Sequence, residues 1–102
     1  MATWLKLCNL DDIPQRGSRV VSRDGVAIAV FRTAADSVFA LRDACPHKGG
    51  PLSQGIVHGD KVTCPLHGWN IELATGEACK PDEGCARRYA TRVTEGVVWL
   101  ES

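Results

Sequence analysis

Of the five cysteines and three histidines in this chain, residues of the types that bind soft metal centres, four come as two mixed pairs, Cys45-Pro46-His47 and Cys64-Pro65-Leu66-His67. Sixteen residues separate His47 from Cys64. Thiolate and imidazole are the ligands that iron–sulfur clusters and zinc select. Each pair sits among Pro and Gly, so two stiff loops can face each other across a metal. A structural Cys₂His₂ zinc site fits the donor count. A zinc finger, however, usually pairs Cys with Cys and His with His, whereas here each loop supplies one of each. That order suits a two-iron cluster in which each loop gives a thiolate to one iron and an imidazole to the other. Two neutral imidazoles in place of thiolates make such a cluster less negative, and adding an electron then costs less.

The elements that must hold these loops read as short strands. Helical periodicity is weak, and apolar runs alternate with turn residues. Strands are expected at Thr3–Cys8, Arg19–Ser22, Val26–Arg32, Val38–Arg42, Lys61–Thr63, Trp69–Leu73, Arg88–Val93 and Val97–Glu101, with a shorter one at Ile56-Val57. Leu10–Pro14 reads as a turn, Asp24-Gly25 as a hairpin dipeptide, and Glu95-Gly96 as the link between the last two strands. In Val38–Arg42, Val38 and Ala40 should face one way and Phe39 and Leu41 the other; Trp69, Ile71 and Leu73 should point inward. From Asp43 to Pro65 the chain turns rich in Gly and Pro. The expectation is one all-β domain over residues 1–102, with a loop-rich, cluster-binding insert at about 43–68.

A chain of 102 residues is enough for one domain and too short for two. Hydrophobic residues at 44% and charged residues at 24% suit a globular protein. Lys plus Arg and Asp plus Glu are 12 each, so there is no basic excess for nucleic acid. No apolar run approaches the ~20 residues of a membrane span, and the N-terminus lacks the pattern of a secretory signal. A cytoplasmic location follows as the expectation. The odd count of five cysteines fits free thiols and metal ligands better than disulfides.

Cys-Pro-His-Lys-Gly-Gly-Pro-Leu from Cys45, with Cys-Pro-Leu-His-Gly-Trp from Cys64, resembles the motif pair of Rieske [2Fe-2S] proteins. The resemblance runs over nearly the whole chain and leans towards the small subunits of assimilatory NAD(P)H nitrite reductases. Pro51–Asp60, Leu73–Glu77 and Pro81–Cys85 carry that narrower similarity. It implies three stacked antiparallel sheets, a [2Fe-2S] cofactor held by Cys45, His47, Cys64 and His67, and both histidines nearest solvent. It also implies a large partner subunit with flavin and siroheme, where nitrite becomes ammonium, and no catalytic residue in this chain.

The respiratory Rieske proteins carry a bracing disulfide at the positions of Gly50 and Leu66, and a Ser hydroxyl where this chain has Gly68-Trp69. Fewer hydrogen bonds to the sulfurs lower the potential, so a low-potential, ferredoxin-like centre is expected. Five residues lie between Cys79 and Cys85. The two are near enough in sequence for a small disulfide, though free thiols are the expectation in a reducing compartment. Lys80-Pro81-Asp82 resembles the proline loop that covers the cluster in this family. Cys8 reads as a small buried hydrophobe, His58 as a solvated turn residue, Trp69 as filler beneath the cluster loops, and Lys48 as a solvated rim residue, with docking to an acidic partner as the alternative.

Three functions fit these residues: the nitrite reductase subunit, a free-standing Rieske ferredoxin serving an aromatic-ring oxygenase, and a zinc-stabilised interaction domain. Colour separates the last from the others, and the identity of the redox partner separates the first two.

Overall fold

A computed structural model describes residues 4–23, 25–44, 51–65, 68–78 and 84–101. The described strands are β1 (Trp4–Asn9), β2 (Gly17–Arg23), β3 (Val26–Arg32), β4 (Val38–Arg42), β5 (Ile56–His58), β6 (Lys61–Thr63), β7 (Asn70–Glu72), β8 (Arg88–Tyr89), β9 (Thr91–Thr94) and β10 (Val97–Glu101). They form three antiparallel sheets, ordered β1-β10-β9, β2-β3-β4-β8 and β5-β6-β7. Among the described residues two 3-10 turns, Leu10–Asp12 and Leu52–Gln54, accompany the strands. The all-β expectation holds.

The four-stranded sheet is the middle layer, and its sequence shows why. Along β3 the residues Ile28, Ala29, Val30 and Phe31 are all buried, which a strand covered on one face cannot achieve. Ile28 and Val30 join Cys8, Ile13, Val38, Ala40, Val98 and Leu100 in one apolar cluster. Ala29 and Phe31 join Leu41, Leu52, Val57, Val62, Cys64, Ile71 and Leu73 in the other. The period of two thus sends alternate side chains to the β1-β10-β9 sheet and to the β5-β6-β7 sheet. Val38 and Ala40 fall on one side and Leu41 and Phe39 on the other, as their alternation predicts. Ile71 and Leu73 are fully buried, and Trp69 packs half-buried against the same cluster.

β3, β4, β6 and β10 match the sequence-predicted bounds, and β2 begins two residues earlier than expected, at Gly17. The one substantive difference is the stretch expected as a single strand, Arg88–Val93. It divides at Ala90: Arg88 and Tyr89 pair with Leu41 and Ala40, while Thr91–Thr94 pair with β10. The chain changes sheets at that residue, and Glu101 donates its backbone N–H to the Ala90 carbonyl at 3.0 Å. A continuous β pattern carries no mark of such a corner, because both halves keep extended backbone.

Candidate metal centre

The second sequence-predicted loop leaves β6 at Thr63. Cys64 follows, 2% exposed, and sits in the apolar cluster with Leu52, Val57, Val62, Ile71 and Leu73. Its backbone N–H donates to the Trp69 carbonyl at 2.7 Å, and Gly68 N–H donates back to the Cys64 carbonyl at 3.0 Å. These bonds close the loop at its neck before β7 begins. A side-chain relay braces the same neck: Thr63 Oγ1 donates to Asn70 Oδ1 at 2.6 Å and lies 2.7 Å from His58 Nε2. With its one proton committed to Asn70, the Thr63 hydroxyl accepts from His58. His58 is exposed, as expected of a turn residue, but it is tied to the scaffold.

The first loop leaves β4 at Arg42. Asp43 donates its N–H to the Ala27 carbonyl at 2.9 Å, which keeps the chain on the sheet for one residue more. Its carboxylate then spans the whole loop. Asp43 Oδ1 accepts the Ser53 N–H at 2.8 Å and Oδ2 accepts the Ser53 hydroxyl at 2.8 Å. Ser53 belongs to the Leu52–Gln54 turn, and Ser18 Oγ donates to its carbonyl at 2.9 Å. Leu52, fully buried, shares the apolar cluster of Cys64, so the necks of both loops rest on one piece of core. Nothing about Asp43 or Ser53 stood out in the sequence. The available signal was position: a carboxylate two residues before Cys45 and a hydroxyl two residues after Pro51.

A third loop is closed in the same manner. Ala78 N–H donates to the Gly84 carbonyl at 2.9 Å, and Ala86 N–H donates to the Gly76 carbonyl at 2.7 Å. Gly76 has φ +79°, and a Cβ there would lie 2.2 Å from the Ala86 carbonyl oxygen, so only glycine fits.

Of the sequence-predicted ligands, Cys64 is described. Cys45, His47 and His67 lie outside the described residues, as do Lys48, Gly50, Leu66, Cys79, Lys80, Pro81 and Asp82. What surrounds Cys64 fits an iron–sulfur cluster. A soft sulfur donor lies in an apolar wall, and two hydrogen-bonded loop necks stand on a common core. Such a wall excludes water and so tunes a cluster's potential.

A family model for the Rieske [2Fe-2S] domain matches residues 3–90. The chain belongs to the Rieske [2Fe-2S] family. This Rieske chain is 35% identical over 99 residues to ferredoxin CarAc of Metapseudomonas resinovorans, covering 95% of itself and 92% of that protein. To the anthranilate 1,2-dioxygenase ferredoxin subunit of Burkholderia cepacia it is 34% identical, covering 96% of itself and 91% of that protein. Among solved structures, the one assigned as the NADH-dependent nitrite reductase small subunit of Mycobacterium tuberculosis superposes with a TM-score of 0.89 at 26% identity, covering 100% of this chain and 96% of that one. The Rieske chain is an electron-transfer protein, its cofactor is a [2Fe-2S] cluster, and its partner is a redox protein. Among the described residues no helix is long and apolar enough to cross a membrane.

The two other described cysteines differ sharply. Cys8 is buried in the cluster on the far side of the middle sheet. Burial pushes its thiol up, Arg19 partly offsets this, and Asp12 adds to it. Cys85 is exposed and free, its Sγ 3.7 Å from the Thr75 carbonyl oxygen. Iodoacetamide at pH 8 should therefore alkylate Cys85 in the folded holoprotein within minutes and leave Cys8 unmodified until the chain unfolds. Peptide mass mapping checks this; equal labelling of both would contradict the burial of Cys8.

Proposed function

We propose that this chain is the electron-transfer small subunit of a cytoplasmic NAD(P)H-dependent nitrite reductase. In this reading residues 1–102 form one Rieske domain, its insert runs from about 43 to 68, and Cys45, His47, Cys64 and His67 hold the cluster. The observation that carries it is the end-to-end match, at a TM-score of 0.89, to a solved chain assigned to that role. The similarity of Pro51–Asp60, Leu73–Glu77 and Pro81–Cys85 to such subunits adds to it.

When bound, the cluster supplies one-electron transfer. The chain's own residues hold it. Asp43 and Ser53 clamp the first loop, Thr63 and Asn70 brace the second, and Leu52, Val62 and Ile71 keep water from the inner side. Held by Cys45, His47, Cys64 and His67, the cluster would supply electron transfer alone, so nitrite reduction belongs to the partner. No Gly-rich dinucleotide motif follows a strand, so a nicotinamide cofactor also belongs to the partner.

A second reading rests on the identities. The oxygenase ferredoxins reach 35% and 34%, above the 26% of the nitrite reductase subunit, and favour a free-standing ferredoxin that serves an aromatic-ring oxygenase. Reconstitution separates the two. Mixed with a large flavin- and siroheme-binding subunit and supplied with NADH or NADPH, the chain should support nitrite loss that neither protein gives alone. A chain that consumes nitrite unaided, or that does not associate with such a subunit, refutes the first reading. Support of an oxygenase instead would install the second.

A further inference from the structure

We propose that the arginine-lined cleft between the β2–β3 hairpin, β8 and the end of β10 seats a carboxylate-bearing segment of the redox partner, beside the cluster loops. The proposal rests on the chain's being an electron-transfer protein that docks on another protein, whichever of the two partners that is.

The cleft has a volume of about 430 Å³, and Arg23, Arg87, Arg88, Tyr89 and Glu101 supply its polar lining. Among the described lining residues, Arg87 and Arg88 stand against one carboxylate, Glu101, in a chain whose formal net charge is zero. The local excess is therefore a matter of placement. Arg32 shows what a satisfied arginine looks like in this fold: it contacts Asp36 Oδ1 at 2.8 Å and donates to the Leu10 and Ile13 carbonyls. Among the described residues no carboxylate stands within 4.0 Å of Arg87 or Arg88. Arg87 is instead held over the Tyr89 ring, 4.9 Å from its centroid. Stacking orients the guanidinium and, among the described residues, leaves its N–H fork without a carboxylate, which suits bidentate capture of one. Arginine beside tyrosine is also the pairing that interfaces enrich.

The cleft lies close to the redox centre along the chain. Arg42 donates its N–H to the Arg87 carbonyl at 2.8 Å. Cys45 is three residues beyond Arg42, a span of at most about 11 Å. Electron-transfer complexes are small and short-lived, so a few charge contacts govern their association. A carboxylate seated here would set the orientation of the partner relative to the first loop.

The test compares cluster-loaded wild type with Arg87→Gln/Arg88→Gln, both exposed positions, by titration into the large nitrite reductase subunit at low and moderate ionic strength. The variant should bind at least tenfold more weakly and show a flatter salt dependence, with absorption spectrum and potential unchanged. A hexaglutamate peptide titrated in parallel separates a wrong partner from a wrong cleft. Binding of hexaglutamate but not of the large subunit by wild type, with loss in the variant, supports the cleft and refutes the nitrite reductase reading. Equal behaviour of wild type and variant towards both ligands overturns the cleft, as does binding of neither by the wild type. Inorganic phosphate that outcompetes hexaglutamate would make this a small-anion site and likewise overturn partner docking.

Discussion

Cys64→Ser should purify colourless, without the about two irons and two labile sulfides per chain expected of the wild type. Cys45→Ser, His47→Ala and His67→Ala should do the same. A [2Fe-2S] cluster needs all four protein donors, and a serine oxygen or a vacant position is a poor substitute for thiolate or imidazole at iron. At Cys64 the new hydroxyl also enters an apolar wall formed by Leu52, Val62 and Ile71, at a cost of about 1–3 kcal/mol if it finds no partner. Far-ultraviolet circular dichroism must therefore accompany the iron and sulfide assays, so that loss of the centre is not confused with loss of the fold. Ser at Cys8, Cys79 and Cys85 together should leave the visible spectrum intact. If that triple variant is colourless while Cys45→Ser stays red-brown, the ligands have been assigned to the wrong cysteines.

The second large effect is expected at a residue with no side chain. Gly55 follows the Leu52–Gln54 turn and passes directly over the end of β6. A Cβ there would stand 2.3 Å from the Thr63 carbonyl oxygen, 2.9 Å from Val62 Cγ2 and 3.1 Å from the Leu52 carbonyl oxygen. Two of those three neighbours are backbone and cannot swing aside. Gly55→Ala must push the turn bearing Ser53 away from the strand that ends beside Cys64, parting the two loop necks. Overpacking of this kind costs roughly 3 kcal/mol. For a domain of this size that is a fall in melting temperature on the order of 15 °C, and the loaded fraction of cluster should fall with it. Gly59→Ala is the control. Its φ is +55° but nothing lies within 4 Å of the added methyl, so the cost is about 1 kcal/mol of backbone strain. Equal melting temperatures for the two variants would show that the turn and the strand are not in contact.

What the sequence revealed and what it hid differ in physical kind. β3 and β10 were legible because apolar and β-branched residues run in short blocks between turn residues, and a period of two is local information. The motif pairs at Cys45 and Cys64 were legible because few other chemistries place one Cys and one His on each of two loops. The division at Ala90 was hidden, since which sheet a strand joins depends on pairing partners far away in the chain. The Asp43–Ser53 bracket was hidden for the same reason: its residues are ordinary loop residues until the Leu52–Gln54 turn brings them together. The arginine cleft draws on β2, β3, β8 and β10, so no stretch of sequence displays it.

The pairing of β1 with β10 sets Trp4 opposite Glu101. The first and last described strands are thus neighbours in one sheet, and its buried residues belong to the apolar cluster that does not contain Cys64. A polypeptide entering at β1 and leaving at β10 does so through one doorway, on the far side of the middle layer from Cys64. Such a unit can be spliced into a longer chain, or joined end to end and reopened elsewhere, with no linker crossing the apolar wall that holds Cys64.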